Sequence, residues 1–166
     1  MKESDDFLQI INENAGIIFK ISNFYCRNSE DRKDLIQEII FQIWKSFPTY
    51  NGSVKISTWI YRIALNIAIS NYRKSSKLAT YTSSFTEILL DTHSENQNES
   101  AKENIELLYA FIFRLKELDK ALMLLYLEEK TYQEMADILG ISSSNVATKI
   151  GRIKQKLKQY FESLEL

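Results

Sequence analysis

The chain is 166 residues long, room for one ordinary domain or two small ones, neither with a large core. With 45% hydrophobic, 26% charged and 12% aromatic residues it lies inside the globular range, which excludes wholesale disorder and a fibrous repeat. The formal net charge of -1 conceals an uneven placement: no acid falls between Glu38 and Glu87, where Lys45, Lys55, Arg62, Arg73, Lys74 and Lys77 lie, and none between Asp137 and Glu162, where Lys149, Arg152, Lys154, Lys156 and Lys158 lie. Two separate basic surfaces follow, of the kind that a nucleic acid can use.

Only 4 Gly and 1 Pro leave little punctuation for hairpins or short crossovers, and the apolar residues recur at helical spacing, so an all-α fold is expected. Cys26 is the only cysteine and His93 the only histidine, so neither an internal disulfide nor a Cys/His metal cluster can be assembled, and no cofactor is expected. The polar, acidic start, Met1 to Asp6, lacks the pattern of a signal peptide, and no apolar run approaches a membrane span; the expected compartment is the cytoplasm, without membrane insertion.

In chain order, a first helix is expected from Phe7 to about Tyr25, on the stripe Phe7, Leu8, Ile10, Ile11, Ile17, Ile18, Ile21 and Phe24. A second starts at Asn28, a candidate N-cap, and carries Leu35, Ile36, Ile39, Ile40, Ile43, Trp44 and Phe47 until Pro48 ends it. After the loop Thr49 to Ser53, a third follows Ile56, Trp59, Ile60, Ile63 and Ile67 and ends near Lys74. The chain then turns polar around a small apolar cluster, Phe85, Ile88, Leu89 and Leu90. Helical spacing resumes with Ile105, Leu108, Ile112, Leu115, Leu118, Leu122, Leu125 and Leu127. The expected organisation is therefore two small helical domains, 1–76 and 104–166, joined by a flexible linker over 77–103.

The clearest local motif lies near the carboxy terminus. Thr131-Tyr132-Gln133-Glu134 fits a capping box, Gly140 can end the short helix in a left-handed conformation, and Ser142 can cap the next helix with Ile141 and Val146 as a hydrophobic staple. This predicts a helix-turn-helix. With Val146, Ile150, Ile153 and Leu157 facing the core, Ser143, Ser144, Ala147, Thr148, Gly151 and Arg152 turn outward, with Lys149 and Lys154 at the flanks. Small polar groups followed by bases suit a major groove, while the plainer reading is a helical hairpin with a solvated basic face. Glycine inside a helix costs about 1 kcal/mol relative to alanine, so Gly151 is consistent with close approach to backbone.

The third helix combines Trp59, Tyr61, Arg62 and Asn66 on a stretch without acids, and together with Tyr50 in the preceding loop these groups can hold single-stranded bases. For Trp59 and Tyr61 the alternative is core and rim packing. The second helix carries Asp34, Gln37, Glu38, Phe41, Gln42 and Lys45 away from its most apolar line, which by spacing alone reads as a solvated face.

Asp34-Leu35-Ile36-Gln37-Glu38, then Phe41, Trp44, Phe47 and Tyr50, then Thr58 to Ala64 with Asn66, resembles region two of the extracytoplasmic-function group of bacterial sigma factors. Residues 105–160, with Tyr132 to Ala136 and Leu139-Gly140-Ile141 before the basic helix, resemble region four of that group. Gly151 and Ala147 depart from the pattern, standing where many relatives carry larger polar or basic side chains. The resemblance implies core RNA polymerase, promoter DNA and an anti-sigma factor as partners, and, as in that group, neither an amino-terminal extension nor a third domain. It also assigns roles: Asp34, Gln37, Glu38 and Phe41 to polymerase docking, Tyr50, Trp59, Tyr61, Arg62 and Asn66 to melted promoter bases, and Ser143, Ser144, Ala147, Thr148, Lys149, Arg152 and Lys154 to the upstream duplex.

An independent helix-turn-helix regulator and a helical protein-protein adaptor remain the competing readings. The first leaves the amino-terminal aromatic and basic surface unexplained. No paired-acid, phosphate-loop or nucleophile motif supports an enzyme.

Overall fold

The computed structural model describes residues 2–78 and 99–164, and every regular element among them is helical. The chain divides into two compact units, Met1–Tyr81 and Thr82–Leu166.

The first unit contains α1 (Lys2–Tyr25), α2 (Ser29–Ser46), a 3-10 turn (Phe47–Thr49) and α3 (Ile56–Leu78). The Asn28 side chain accepts hydrogen bonds from the amides of Glu30 and Asp31 at 2.8 and 3.3 Å, so α2 starts where its cap places it. Pro48 cannot donate to a continuing helix, and the chain tightens into the 3-10 turn. All three helices pack on one another. Their shared core is Ile11, Ile18 and Ile21 of α1, Leu35, Ile39 and Ile43 of α2, and Ile60, Tyr61, Ala64, Leu65 and Ala68 of α3. Each fully buried Ile or Leu contributes about 1.5–3 kcal/mol of transfer free energy. At one end Phe47 meets Phe7 edge to face, with centroids 5.7 Å apart, and at the other Tyr72 meets Tyr25 at 6.0 Å.

Three stripes in this unit differ from the sequence expectation. On α3 the buried line is Ile60, Tyr61, Ala64, Leu65 and Ala68 rather than one centred on Trp59 and Ile63. Alanines four residues apart let helix backbones approach, so the small residues, not the bulkiest, mark the seam with α1 and α2. On α2 Trp44 is 57% exposed, and on α1 Leu8 is exposed as well, so neither belongs to the core.

The second unit contains α4 (Glu99–Phe113), α5 (Glu117–Leu127), α6 (Tyr132–Leu139) and α7 (Ser143–Leu164). Its core is Phe111 and Ile112, the run Ala121 to Leu125, then Met135, Ala136 and Ile138, and Val146, Ile150 and Ile153. Leu127, expected on the apolar stripe, is exposed. The segment assigned to a linker is helical at both ends, because α3 runs on to Leu78 and α4 begins at Glu99. The first turn of α4, Glu99 to Lys102, contains the good helix formers Glu99, Ala101 and Lys102 and precedes the apolar stripe that opens at Ile105, so periodicity alone places the start too late. Phe85, Ile88, Leu89, Leu90 and His93 lie outside the described residues. No helix among the described residues is long and apolar enough to cross a membrane.

Candidate functional site

Three surfaces gather the candidate residues. The outward face of α2 lies opposite Leu35, Ile39 and Ile43. There Gln37, Phe41 and Trp44 recur at i, i+4 and i+7, with Asp34 and Glu38 beside them, all exposed. The Phe41 and Trp44 rings stand 6.3 Å apart, and Gln42 Nε2 donates to Glu38 Oε1 at 3.0 Å. Trp44 was not assigned to this face by the sequence reading: its spacing from Gln37 and Phe41 could have placed it there, had its bulk not suggested the core.

The second surface is the face of α3 turned away from its buried line. At 3.6 residues per turn, Trp59, Arg62, Asn66, Ser70 and Arg73 share one side of the helix, and α3 carries no acid at all. The loop before it is held by local hydrogen bonds. Tyr50 Oη donates to the Val54 carbonyl at 2.6 Å, Asn51 Oδ1 accepts from the Ser53 amide at 3.0 Å, and Gly52 holds φ at 72°. That left-handed conformation favours glycine there. The Tyr50 ring lies 5.1 Å from the half-buried Trp59 ring. The structure thus brings Tyr50 to Trp59, while Asn66 stands two helical turns, about 10.5 Å, further along the same face. Asn66 also lines an open groove of about 630 Å³ between α2 and α3, with Ile63, Ile67 and Lys74 on one wall and Asp34 and Glu38 on the other.

Tyr61 is a correction. It is 4% exposed and packs with the core of the first unit, so its ring cannot meet a base; of Trp59 and Tyr61 it is Tyr61 that is core and Trp59 that is rim.

The third surface belongs to the helix-turn-helix. The Thr131 side chain accepts from the Glu134 amide at 3.2 Å while Glu134 Oε2 accepts from the Thr131 amide at 2.8 Å, a complete capping box. Gly140 adopts φ 68°, and its amide and that of Ile141 both donate to the Ala136 carbonyl, so the turn to α7 is closed by backbone bonds. Ser142 Oγ then accepts from the Asn145 amide at 3.1 Å and starts α7. With Val146, Ile150 and Ile153 buried, Ser143, Ser144, Ala147, Thr148, Gly151 and Arg152 are all exposed. Asn145 and Gln155, also exposed, were not singled out by sequence; their helical phase could have found them.

The two lysines lie at the flanks, and each has a partner on α5. Lys149 Nζ lies 3.4 Å from Asp119 Oδ1 on α5, and Lys154 Nζ lies 4.4 Å from the centroid of the Tyr126 ring. A hydrogen bond with Tyr126 holds the Lys154 ammonium above its ordinary range. Both side chains lie near the border between the buried line and the exposed face, so their long stems fold back onto α5 rather than outward. This leaves Arg152 as the cation set among the small residues. Among the described residues no group of three or more His, Cys, Asp or Glu is placed to hold a metal ion.

Comparison with known proteins agrees with this division. Residues 10–78 match the family model Sigma-70 region 2, and residues 105–157 match Sigma-70, region 4. The chain is 32% identical over 132 residues to RNA polymerase sigma factor SigZ of Bacillus subtilis (strain 168), covering 78% of this chain and 72% of that protein. It is 28% identical over 133 residues to ECF RNA polymerase sigma factor SigM of the same organism, covering 78% of each. Among solved structures, the sigma factor RpoE in complex with the anti-sigma factor NepR from Bartonella quintana shares the fold, with a TM-score of 0.68 at 13% identity over 95% of this chain and 97% of that one. The chain belongs to the extracytoplasmic-function group of RNA polymerase sigma factors.

Proposed function

We infer that this chain is a specificity subunit, which binds core RNA polymerase and directs initiation from a defined set of promoters. The observation that carries this reading is the coexistence, on two separately folded units, of an exposed acidic and aromatic face on α2, an acid-free face on α3 and an exposed small-residue face with Arg152 on α7. The amino-terminal unit serves polymerase docking and promoter melting, the carboxy-terminal unit duplex recognition, and the chain between them is a linker. It is not an enzyme: the polymerase makes the RNA. It acts in the cytoplasm.

The Asp34, Gln37, Glu38, Phe41 and Trp44 face docks on core polymerase. Asp34 and Glu38 supply charge complementarity, and the two rings supply apolar area for a desolvated centre. The Tyr50 and Trp59 pair, with Arg62 and Asn66 along the same helix, receives unstacked bases. The exposed face of α7 enters the major groove of upstream duplex. Because the net charge is only -1, few counterions are released by the subunit alone, and tight promoter binding requires the polymerase. A solved sigma factor of the same fold is bound to an anti-sigma factor, and an inhibitor of that class is the regulator proposed here.

Transcription in vitro with purified core polymerase and a genomic template library tests the reading. Start sites at a shared promoter sequence are expected; transcripts no different from those of core polymerase alone would overturn it.

A further inference from the structure

Lys149 and Asp119 are 30 residues apart in sequence and on different helices, yet their side chains meet at 3.4 Å. Asp119 is in the first turn of α5, where the helix dipole favours a carboxylate, and its side chain is only 19% exposed, so the acceptor is held in place. Lys149 is 30% exposed and sits at the edge of the face that α7 presents to duplex DNA. A lysine there has a stem long enough to swing to a phosphate beside the groove. In this structure it is neutralised instead.

Phosphate contacts add affinity that is the same for every sequence, whereas base contacts carry selectivity. Resting on the proposed DNA-reading role of α7, we infer that Asp119 is a positioning residue that withholds Lys149 from the phosphate backbone and so lowers sequence-independent binding relative to base reading by Ser144 and Thr148. Asp119 touches no DNA in this scheme. It acts by occupying a cation, and it ties α7 to α5 at the same time.

The test is titration of the full-length chain against a fluorescently labelled random-sequence duplex of about 30 base pairs over a series of salt concentrations. Each phosphate neutralised steepens the slope of log affinity against log salt by about 0.9. Asp119→Asn should steepen the slope by that amount, so that raising salt from 50 to 200 mM costs it about 3.5-fold more affinity than the unmodified chain loses. Lys149→Met alone should leave the slope unchanged. In the double variant the slope should match that of Lys149→Met; an increase that persisted there would mean only a change in overall charge and would overturn the inference. Equal slopes for Asp119→Asn and the unmodified chain, or a shallower slope for Lys149→Met, would overturn it as well. The last arm stands even if Asp119→Asn proves too unstable to assay, which circular dichroism of each variant reports. Arg152→Ala serves the underlying reading separately: its slope should become shallower by about 0.9, and if it does not, the DNA-facing role of α7 fails whatever Asp119 does.

Discussion

Phe41 and Trp44 place their rings 6.3 Å apart on the one face of α2 that touches neither α1 nor α3, and they are 51% and 57% exposed. Two aromatics left in water beside two carboxylates contribute little to the fold and much to a partner surface, since interface hot spots are enriched in such residues. Replacing both by alanine should change unfolding free energy by no more than about 0.5 kcal/mol, the usual range for surface sites. Core polymerase binding should weaken by at least about 30-fold, the equivalent of a 2 kcal/mol hot spot. Charge reversal at Asp34 and Glu38 should act in the same direction. Unaltered polymerase affinity in both sets would return this face to plain solvation.

The turn between α5 and α6 is closed by a Schellman pair, in which the Lys130 amide donates to the Leu125 carbonyl and the Glu129 amide to the Tyr126 carbonyl. That geometry puts Glu129 at φ 57°, the left-handed region where a Cβ costs roughly 1 kcal/mol. Glu129→Gly should therefore raise the stability of the second unit by up to about 1 kcal/mol, less what glycine loses in the unfolded chain. Urea denaturation of the full chain followed by a probe in that unit checks it; a lower midpoint would show that the glutamate side chain makes a compensating contact.

The helices were legible wherever punctuation and periodicity agreed. Asn28 and Pro48 bracket α2, and Thr131, Glu134, Gly140 and Ser142 spell out the turn of the helix-turn-helix residue by residue. Sequence misled where hydrophobicity was weighed without knowledge of the neighbours. Ala64 and Ala68 are fully buried on the inner line of α3, and Tyr61 is drawn inward beside them, while bulky Trp44 stays outside. Ion pairs across 30 residues leave no local trace, so the partnership of Lys149 with Asp119 was beyond any reading of spacing. The faces as wholes were readable; which cation on a face is already occupied was not.

Cys26 follows the end of α1, and its thiol is pushed up chiefly by burial, with the carboxylates of Asp31 and Asp34 adding to this and Arg32 opposing it. A raised thiol pKa means less thiolate at a given pH in the folded chain than in the unfolded one. Alkylation by iodoacetamide near pH 8 should be several-fold slower for the native chain than in denaturant. Since the folded form keeps its proton to higher pH, the corresponding part of the stability is present below the unfolded pKa and is lost as pH rises from there through the folded value. Equal alkylation rates would show that the thiol is open to solvent.

Gly151 lies on the exposed face of α7, and a Cβ built on it would meet nothing within 4 Å. The fold therefore has no use for glycine there, and Gly151→Ala should stabilise the protein by about 1 kcal/mol through helix propensity and the unfolded chain. If the bare backbone serves close approach to duplex, the same change should weaken promoter binding by the polymerase complex. A variant that is more stable and binds promoter as well as before would remove Gly151 from the interface.

In the function proposed above, promoter opening depends on the cluster at the start of α3. No phosphate-binding loop is present in the sequence, so the melted state has to be stabilised by binding alone. Extruding a base costs a few kcal/mol, and stacking on an aromatic returns about 1–3 kcal/mol per base. The Tyr50 hydroxyl is already committed to the Val54 carbonyl, so Tyr50 shapes the loop and lends a ring face beside Trp59, while the exposed amide of Asn66 is the better hydrogen-bonding group for a base edge. The three variants should then separate. Tyr50→Phe keeps the ring and loses the loop bond, and should reduce opening only mildly; Tyr50→Ala removes the ring and should reduce it strongly. Asn66→Ala should leave stability unchanged and relax base preference at one downstream position, with polymerase docking and upstream duplex binding intact in every case. Permanganate footprinting on an intact promoter and on one mismatched at the melted bases distinguishes a melting defect from a docking defect, because pre-opened DNA should rescue Tyr50→Ala and Asn66→Ala. Normal opening of the intact duplex by both would remove this cluster from the mechanism.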